Sequence, residues 1–395
     1  MTNGVGFARR QVFLFPYAYS LAMGGVLVAM PLWGGRLGAT SVHLGATGSI
    51  LSGTLALLGV LFGRLSDRVG RERMMALGTL LSAATLCFIP SISRPEGLLV
   101  VAALFGISCA MFWPSIEARV AESTDTEGLS GHLSIFNLGW ATGNASGAFL
   151  AGFIMMRDPA WVFYGAAGVH FILCARLMLG HLPGEGRSEV EPSSEAAVED
   201  RPGEADLFLP LARIGSFAVF FGVASIRWLF PKLAVSLDIS GGTIGVLMGT
   251  VAAAQGLMFL VMGWVHRWQY AFRAMILAQL LPVVGLTLVW LGQSALGFGI
   301  ALCAVGLGSG MTFTMGLFYS LHGHHAKGSN AGLHEAILGM GNMAGPIIGG
   351  VVARYVSLRT PNLLNIGIIV LAIAVQCVLW RQETGDRRQE LGVRS

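Results

Sequence analysis

The fold class predicted by this sequence is an all-α membrane protein, with twelve transmembrane helices in two pseudo-symmetric six-helix halves. Three observations predict it. Hydrophobic residues make up 54% of the 395 residues and charged residues 12%, at a mean hydropathy of +0.68. Apolar runs of about 20 residues, the length that crosses a bilayer as a helix, recur along the chain. The chain also repeats its own pattern at a shift close to 200 residues. Backbone groups in hydrocarbon must be hydrogen-bonded internally, and the 55 glycines scattered through Ala, Leu and Val runs suit packed helices rather than alternating barrel strands.

Taken in order, the spans fall at residues 11–33, 44–63, 73–92, 97–118, 131–156, 160–180, 210–231, 242–265, 272–292, 296–320, 330–356 and 361–381. Arg9-Arg10 before the first run imitates a signal peptide, but the run continues to Trp33 without a small-residue cleavage site and reads as an uncleaved helix. Connections such as Ser93-Arg94-Pro95-Glu96 and Gly292-Gln293-Ser294 are so short that the helices they join must pack as antiparallel neighbours. Between His181 and Pro210 the composition turns to Pro, Gly, Ser and acids (Glu185, Glu189, Glu191, Glu195, Glu199, Asp200, Glu204, Asp206). Such a stretch cannot bury enough apolar surface to order itself and reads as a flexible linker, with regulatory docking as the alternative. The expected domains are residues 1–180 and 210–381 as the two halves, 181–209 as the linker and 382–395 as a tail.

The formal net charge of +4 acquires its meaning from its distribution. Cytoplasmic segments and the span ends beside them hold eighteen Lys and Arg; outer loops hold six (Arg36, Arg94, Arg157, Lys232, Arg354, Arg359), and Arg227 lies inside a span. This bias places both termini in the cytoplasm of a multi-pass protein of the inner (plasma) membrane, and an even number of spans agrees. The charge therefore sets topology and implies no nucleic-acid partner. Cys87, Cys109, Cys174, Cys303 and Cys377 all fall in spans without paired spacing, which indicates neither disulfides nor a metal site.

A shift of 200 superposes Met30-Pro31 on Phe230-Pro231, Gly45 on Gly245, Gly63 on Gly263, Gly106 on Gly306 and Met111 on Met311. A shift of 198 lays the Gly143–Gly152 run over Gly341–Gly350. Two homologous halves of parallel topology follow.

Between spans 2 and 3 stands the chain's densest charge cluster, Gly63-Arg64-Leu65-Ser66-Asp67-Arg68-Val69-Gly70-Arg71-Glu72-Arg73. It resembles the Gly-x-Leu-Ser/Ala-Asp-Arg-x-Gly-Arg signature of the major facilitator superfamily (MFS). The resemblance implies that Asp67 faces the start of span 11 near Gly328-Ser329-Asn330, where free N–H groups and the helix dipole favour an anion. It also implies that Arg68 and Arg71 pair with acids at the foot of span 4, Glu117 or Glu122, beside Arg119. The set Gly63, Asp67, Arg68, Gly70, Arg71, Glu117 and Arg119 would then form a conformational gate; the alternative is a positive-inside anchor. The second half reads Gly263-Trp264-Val265-His266-Arg267-Trp268 and has lost the charges.

Gly341, Gly345 and Gly349, with Pro346, resemble the Gly-x-x-x-Gly-Pro-x-x-Gly-Gly signature that on span 5 marks antiporters of the family. Span 5 itself has Gly143 and Gly147 but no proline, a departure from that pattern. Rows of glycine let helices approach closely, here as tight packing between the halves. In the family, spans 1, 4, 7 and 10 line the central cavity. That selects Tyr17, Ser20 and Gly24; Ser108, Phe112 and Ser115 around Trp113-Pro114; and Thr312, Met315 and Tyr319 as neutral cavity candidates, each with a packing alternative. Asn137 enters as the counterpart of Glu335.

Embedded charges are costly and therefore informative. Arg227, one turn before Pro231, binds an anionic group or snorkels to the outer interface. His334-Glu335 lie inside span 11, and a carboxyl group beside a histidine in a low dielectric is the kind of group that carries a coupling proton; the alternative is an acid serving the helix start. His322, His324 and His325 have no ligand partners that would make a metal site, and no phosphate-binding loop is present. The sequence thus predicts a monomeric secondary transporter, not an enzyme, without cofactor. Its partners are lipid, a small and moderately apolar or amphipathic solute, and protons or another coupling ion. Proton-coupled export is preferred over uptake by symport or a transporter-like sensor.

Overall fold

The computed structural model describes residues 3–122, 129–179, 202–321 and 327–390. These residues form twelve α-helices: α1 Asn3–Arg36, α2 Ser41–Val69, α3 Arg71–Phe88, α4 Gly97–Glu122, α5 Leu129–Met155, α6 Ala160–Leu179, α7 Pro202–Val235, α8 Gly241–Trp264, α9 Phe272–Leu291, α10 Ala295–Leu321, α11 Lys327–Tyr355 and α12 Thr360–Glu390. Eleven are long and apolar enough to cross a membrane. The exception is α5, where Asn137, Thr142, Asn144, Ser146 and several glycines dilute the apolar run, but it packs as a full member of the bundle against α1 and α8.

Helices run past the expected spans at several ends, and two of these extensions take in segments assigned to the linker and the tail. Helix α7 begins at Pro202 and takes in the last eight residues assigned to the linker. Phe208 explains why: it is fully buried, stacks on Tyr319 at 5.1 Å and meets Trp380 edge-on at 5.3 Å, so an aromatic anchor holds the extra turns. At the other end, α12 continues to Glu390 through most of the expected tail. Residues 181–201, His322, His324, His325 and the side chain of Glu122 lie outside the described residues.

The internal repeat is written into the packing. A Cβ added at Gly143 would strike the Tyr17 carbonyl, and one at Gly341 the Phe217 carbonyl; Gly147 stands in the same relation to Leu21 as Gly345 to Phe221. Likewise Gly106 lies against the Leu51 carbonyl and Gly306 against that of Val251. Each pair is related by the shift of 198 or 200. The glycine rows of α5 and α11 therefore face α1 and α7 inside their own halves, contrary to the expectation that they pack the halves together.

The contact between halves uses the adjacent row on the same helices, about 100° around. Added Cβ atoms at Gly45 and Gly350 would meet the carbonyls of Pro346 and Ser41, joining α2 to α11. On the opposite flank Gly245 meets Gly152 and the Ala148 carbonyl, joining α8 to α5. Gly45 corresponds to Gly245, Pro346 to Ala148 and Gly350 to Gly152, so this interface too is duplicated. Two hydrogen bonds cross it: Ser49 Oγ donates to the Met343 carbonyl and Lys232 Nζ to the Ala39 carbonyl. These contacts close the bundle at the end bearing the α1–α2 and α7–α8 connections, called here the far face; the opposite end, with the α2–α3 turn, is the hinge face.

Candidate functional site

Between the halves, behind this closure, lies an open-sided cavity. One face of each of four helices walls it: Gly24, Leu27 and Val28 of α1; Trp140, Ala141, Asn144 and Ala148 of α5; Val223, Ile226 and Arg227 of α7; Met248, Val251, Ala252 and Gln255 of α8. The spacings i, i+3, i+4 and i+7 are those of a helical face. The cavity is thus walled here by α1 and α7 with the flanking α5 and α8; α4 packs behind on α2 and α3, and α10 on α8 and α9. The expected quartet of spans 1, 4, 7 and 10 is met in two members only.

Three side chains bring polarity to this wall: Asn144, Arg227 and Gln255. Arg227 is half-buried and makes no hydrogen bond or ion pair among the described residues. Its direction is fixed by its neighbour, because the Trp228 indole fills the space left open by Gly48 of α2, turning position 227 toward the cavity. Asn144 donates from Nδ2 to the Trp140 carbonyl at 3.0 Å, which leaves its Oδ1 unused. Gln255 is nearly fully buried and has no side-chain partner among the described residues.

Toward the hinge face, Glu117 of α4 and Glu335 of α11 come within electrostatic reach of one another across the halves. Both are accessible although both lie in membrane-spanning segments, and neither forms an ion pair among the described residues. His334 does not join them. Consecutive residues on a helix point about 100° apart, and His334 turns inward, fully buried against Gly316 and 5.6 Å from the Phe313 ring, with no partner for either ring nitrogen among the described residues. The His–Glu pairing suggested by sequence adjacency is therefore absent.

The charged stretch is a hinge of one residue. Gly70 alone separates α2 from α3, at φ +101°, a conformation open to glycine but strained for other residues. Arg71 folds back over it, pairing with Asp67 and donating to Ser66 Oγ and, at 3.3 Å, to the Gly63 carbonyl. Asp67 is thus engaged within the hinge rather than with the start of α11, with Arg71 as its partner. The α4 connection runs in the opposite sense: Arg119 reaches Glu72 at 3.5 Å. Arg68 is exposed.

The remaining candidates divide between cavity and core. Gly24 lines the cavity, whereas Ser20 is fully buried in the α1–α5 seam beside Gly143, its hydroxyl unpartnered. Tyr17 is half-buried and stacks on Phe13 at 5.6 Å. Phe112 and Trp113 pack around Tyr19, the former stacked at 3.9 Å, in the core of the first half. Thr312 returns its hydroxyl to the Gly308 carbonyl, and the Tyr319 hydroxyl accepts the Tyr270 N–H at 3.0 Å; both are core positions. Asn137 is half-buried. Tyr19, Trp140, Asn144 and Gln255 were not singled out from sequence. A helical-face count on α5 and α8 would have found the last three; for Tyr19 no sequence signal stands apart from other aromatics.

Comparison with known proteins agrees with this architecture. The family model described as Major Facilitator Superfamily matches residues 13–315 and 212–394. The quinolone resistance protein NorA of Staphylococcus aureus (strain MRSA252) is 20% identical over 94% of this chain and 96% of its own length. The multi-drug resistance efflux pump PmrA of Streptococcus pneumoniae serotype 4 (strain ATCC BAA-334 / TIGR4) is 24% identical over 72% of this chain and 73% of its own. Among solved structures, a bacterial homologue of the human lysosomal transporter Spinster, inward-facing and unoccupied, superposes with a TM-score of 0.73 at 14% identity, covering 96% of this chain and 98% of that one. The duplicated helical halves, the hinge signature and the family match together establish that this chain belongs to the major facilitator superfamily of transporters.

Proposed function

We propose that the chain is a secondary active transporter that exports a small amphipathic solute by alternating access, in exchange for protons. The observation that carries this reading is the cavity itself: a mostly apolar space with three polar side chains, set between duplicated halves and sealed at the far face. Its walls come from both halves, so a rocking motion that opens one end must close the other around it. The bias of Lys and Arg makes the hinge face cytoplasmic, and the cavity would then load from inside. The quinolone and multidrug resistance named for the two relatives supports export of apolar or amphipathic compounds.

Coupling is assigned to Glu335 with Glu117. Mutual repulsion of two like charges in a shared space is relieved when a proton is taken up, and relief at one stage of the cycle links that stage to the proton. The hinge Asp67–Arg71 pair is the conformational element: with Asp67 released from Arg71, it becomes available to the α11 start when the hinge face closes.

The test uses purified protein in proteoliposomes with and without an imposed pH gradient, presenting a panel of radiolabelled amphipathic solutes. Gradient-driven accumulation is expected for the wild type. Glu335→Gln should lose it while retaining solute exchange without a gradient. Unimpaired gradient-driven transport by this variant would remove Glu335 from the coupling role, and no transport of any panel member by the wild type would overturn the transporter reading.

A further inference from the structure

The four walls of the cavity are chemically unequal. Where α7 places Arg227, the repeat gives Leu27 on α1, and where α8 places Gln255, it gives Leu55 on α2. The cationic side chain and the primary amide thus both belong to the second half. Opposite them, α1 and α5 present Leu27, Val28, Ala141, Ala148 and Trp140, whose indole stacks on Phe259 at 6.2 Å. One side of the space is polar and positively charged, and the other, apart from the Asn144 amide, is apolar and aromatic.

Snorkelling does not account for Arg227. It stands eight residues before the end of α7, or about 12 Å of helix rise, and it lines the space between the halves rather than the lipid surface. Other cations near the far face do find protein partners: Lys232 on the Ala39 carbonyl and Arg359 on the Trp290 and Gly292 carbonyls. A guanidinium in a low-dielectric space without a counter-charge is costly, and functional sites are where such costs persist. Its planar fork matches a carboxylate with two parallel hydrogen bonds. With one positive charge in the wall, a monoanion gives a neutral complex, whereas a dianion leaves excess charge in the same low dielectric.

We infer that the cavity is a binding site for a monoanionic amphipathic solute, an organic carboxylate whose charged group is held by Arg227, with Gln255 and Asn144 beside it, and whose flat apolar body lies toward Trp140 and the first half. This rests on the transport reading and specifies its substrate class.

The test is ligand-dependent thermal stability of the purified full-length protein, with three probes of one shape: 2-naphthoate, 2-naphthamide and 2-naphthylmethylammonium, at constant ionic strength. The carboxylate is expected to bind at least about tenfold more tightly than the other two, the size of a charge-assisted hydrogen-bond contribution. Arg227→Gln should erase that preference, Arg227→Lys should keep part of it, and Arg227→Glu should transfer it to the ammonium, an inversion that loss of a merely structural arginine does not produce. Equal binding of the three probes by the wild type overturns the inference without needing any variant, as does a carboxylate preference that survives in Arg227→Gln. Counterflow in proteoliposomes separates this from the transport reading. Naphthoate that binds in the expected pattern but is not exchanged leaves the site standing and removes transport. Naphthylmethylammonium that is exchanged while naphthoate fails to bind does the reverse.

Discussion

The α2–α3 and α8–α9 connections occupy the same place in the two halves and are built from opposite chemistry. The first is Gly70 alone, strapped by the Asp67–Arg71 pair and the Ser66 hydroxyl. The second, Val265–Ala271, is seven residues long and held by aromatic groups: the Trp268 indole donates to the Met262 carbonyl at 3.0 Å, Trp268 meets Phe318 edge-on at 5.0 Å, and Phe272 stacks on Trp380 at 4.6 Å. Helix packing is duplicated almost contact for contact, so the difference is confined to the connections, in length as well as in chemistry. A charged strap can exchange partners as the halves move, whereas buried rings hold one arrangement. The comparison teaches that backbone symmetry supplies the mechanism's geometry and that side-chain asymmetry gives the halves separate tasks.

The strongest attack on the shared geometry is at its glycine seams. Gly345→Val or Gly147→Val forces a side chain into the Phe221 or Leu21 carbonyl and should cost more than about 3 kcal/mol, removing the monodisperse species on size exclusion. Gly165→Ala, with open space around it, should be neutral. At the hinge, Gly70→Ala pays for a left-handed backbone, about 1–2 kcal/mol, and should lower the melting temperature; Gly263→Ala, in helical backbone near the end of α8 with open space around it, should not. Asp67→Asn breaks the strap and should reduce transport severalfold in proteoliposomes with insertion and yield unchanged; full activity would show that the strap has no conformational role. Smallest is Arg119→Ala, which removes a half-exposed ion pair with Glu72 and should change stability by less than about 1 kcal/mol in thermal unfolding.

What was legible in the sequence was what hydrophobic length and repetition encode: the spans, the two halves, and the single charged hinge. Gly45 with Gly245 and Gly143 with Gly341 are visible as letters, but which helix each faces is a matter of rotation about the axis: Gly143 and Gly341 face their own half, and Gly45 and Gly245 face the other. The partner that Asp67 takes in a given state is not legible for a related reason. A motif fixes which residues stand at a hinge, while the pairing among them depends on the conformation, and here Arg71 is nearer than α11. His334 and Glu335 are adjacent in the chain and diverge in space. Arg227 was legible because a charge in a span is conspicuous; Asn144 and Gln255 were not, because a neutral amide in a helix says nothing of the face it occupies until the neighbours are placed.

The duplicated closure at the far face has a mechanical consequence. Gly45 on Pro346 and Gly245 on Gly152 are contacts of backbone against backbone, which leave no hole to climb out of, while about one turn further on the Trp228 indole sits in the space at Gly48 and the Phe149 ring in that at Gly249. Each flank thus works as a plain bearing with a single detent. Resistance to turning is then concentrated in those two seated rings and in the polar latches, Ser49 on Met343 and Lys232 on Ala39, that must let go.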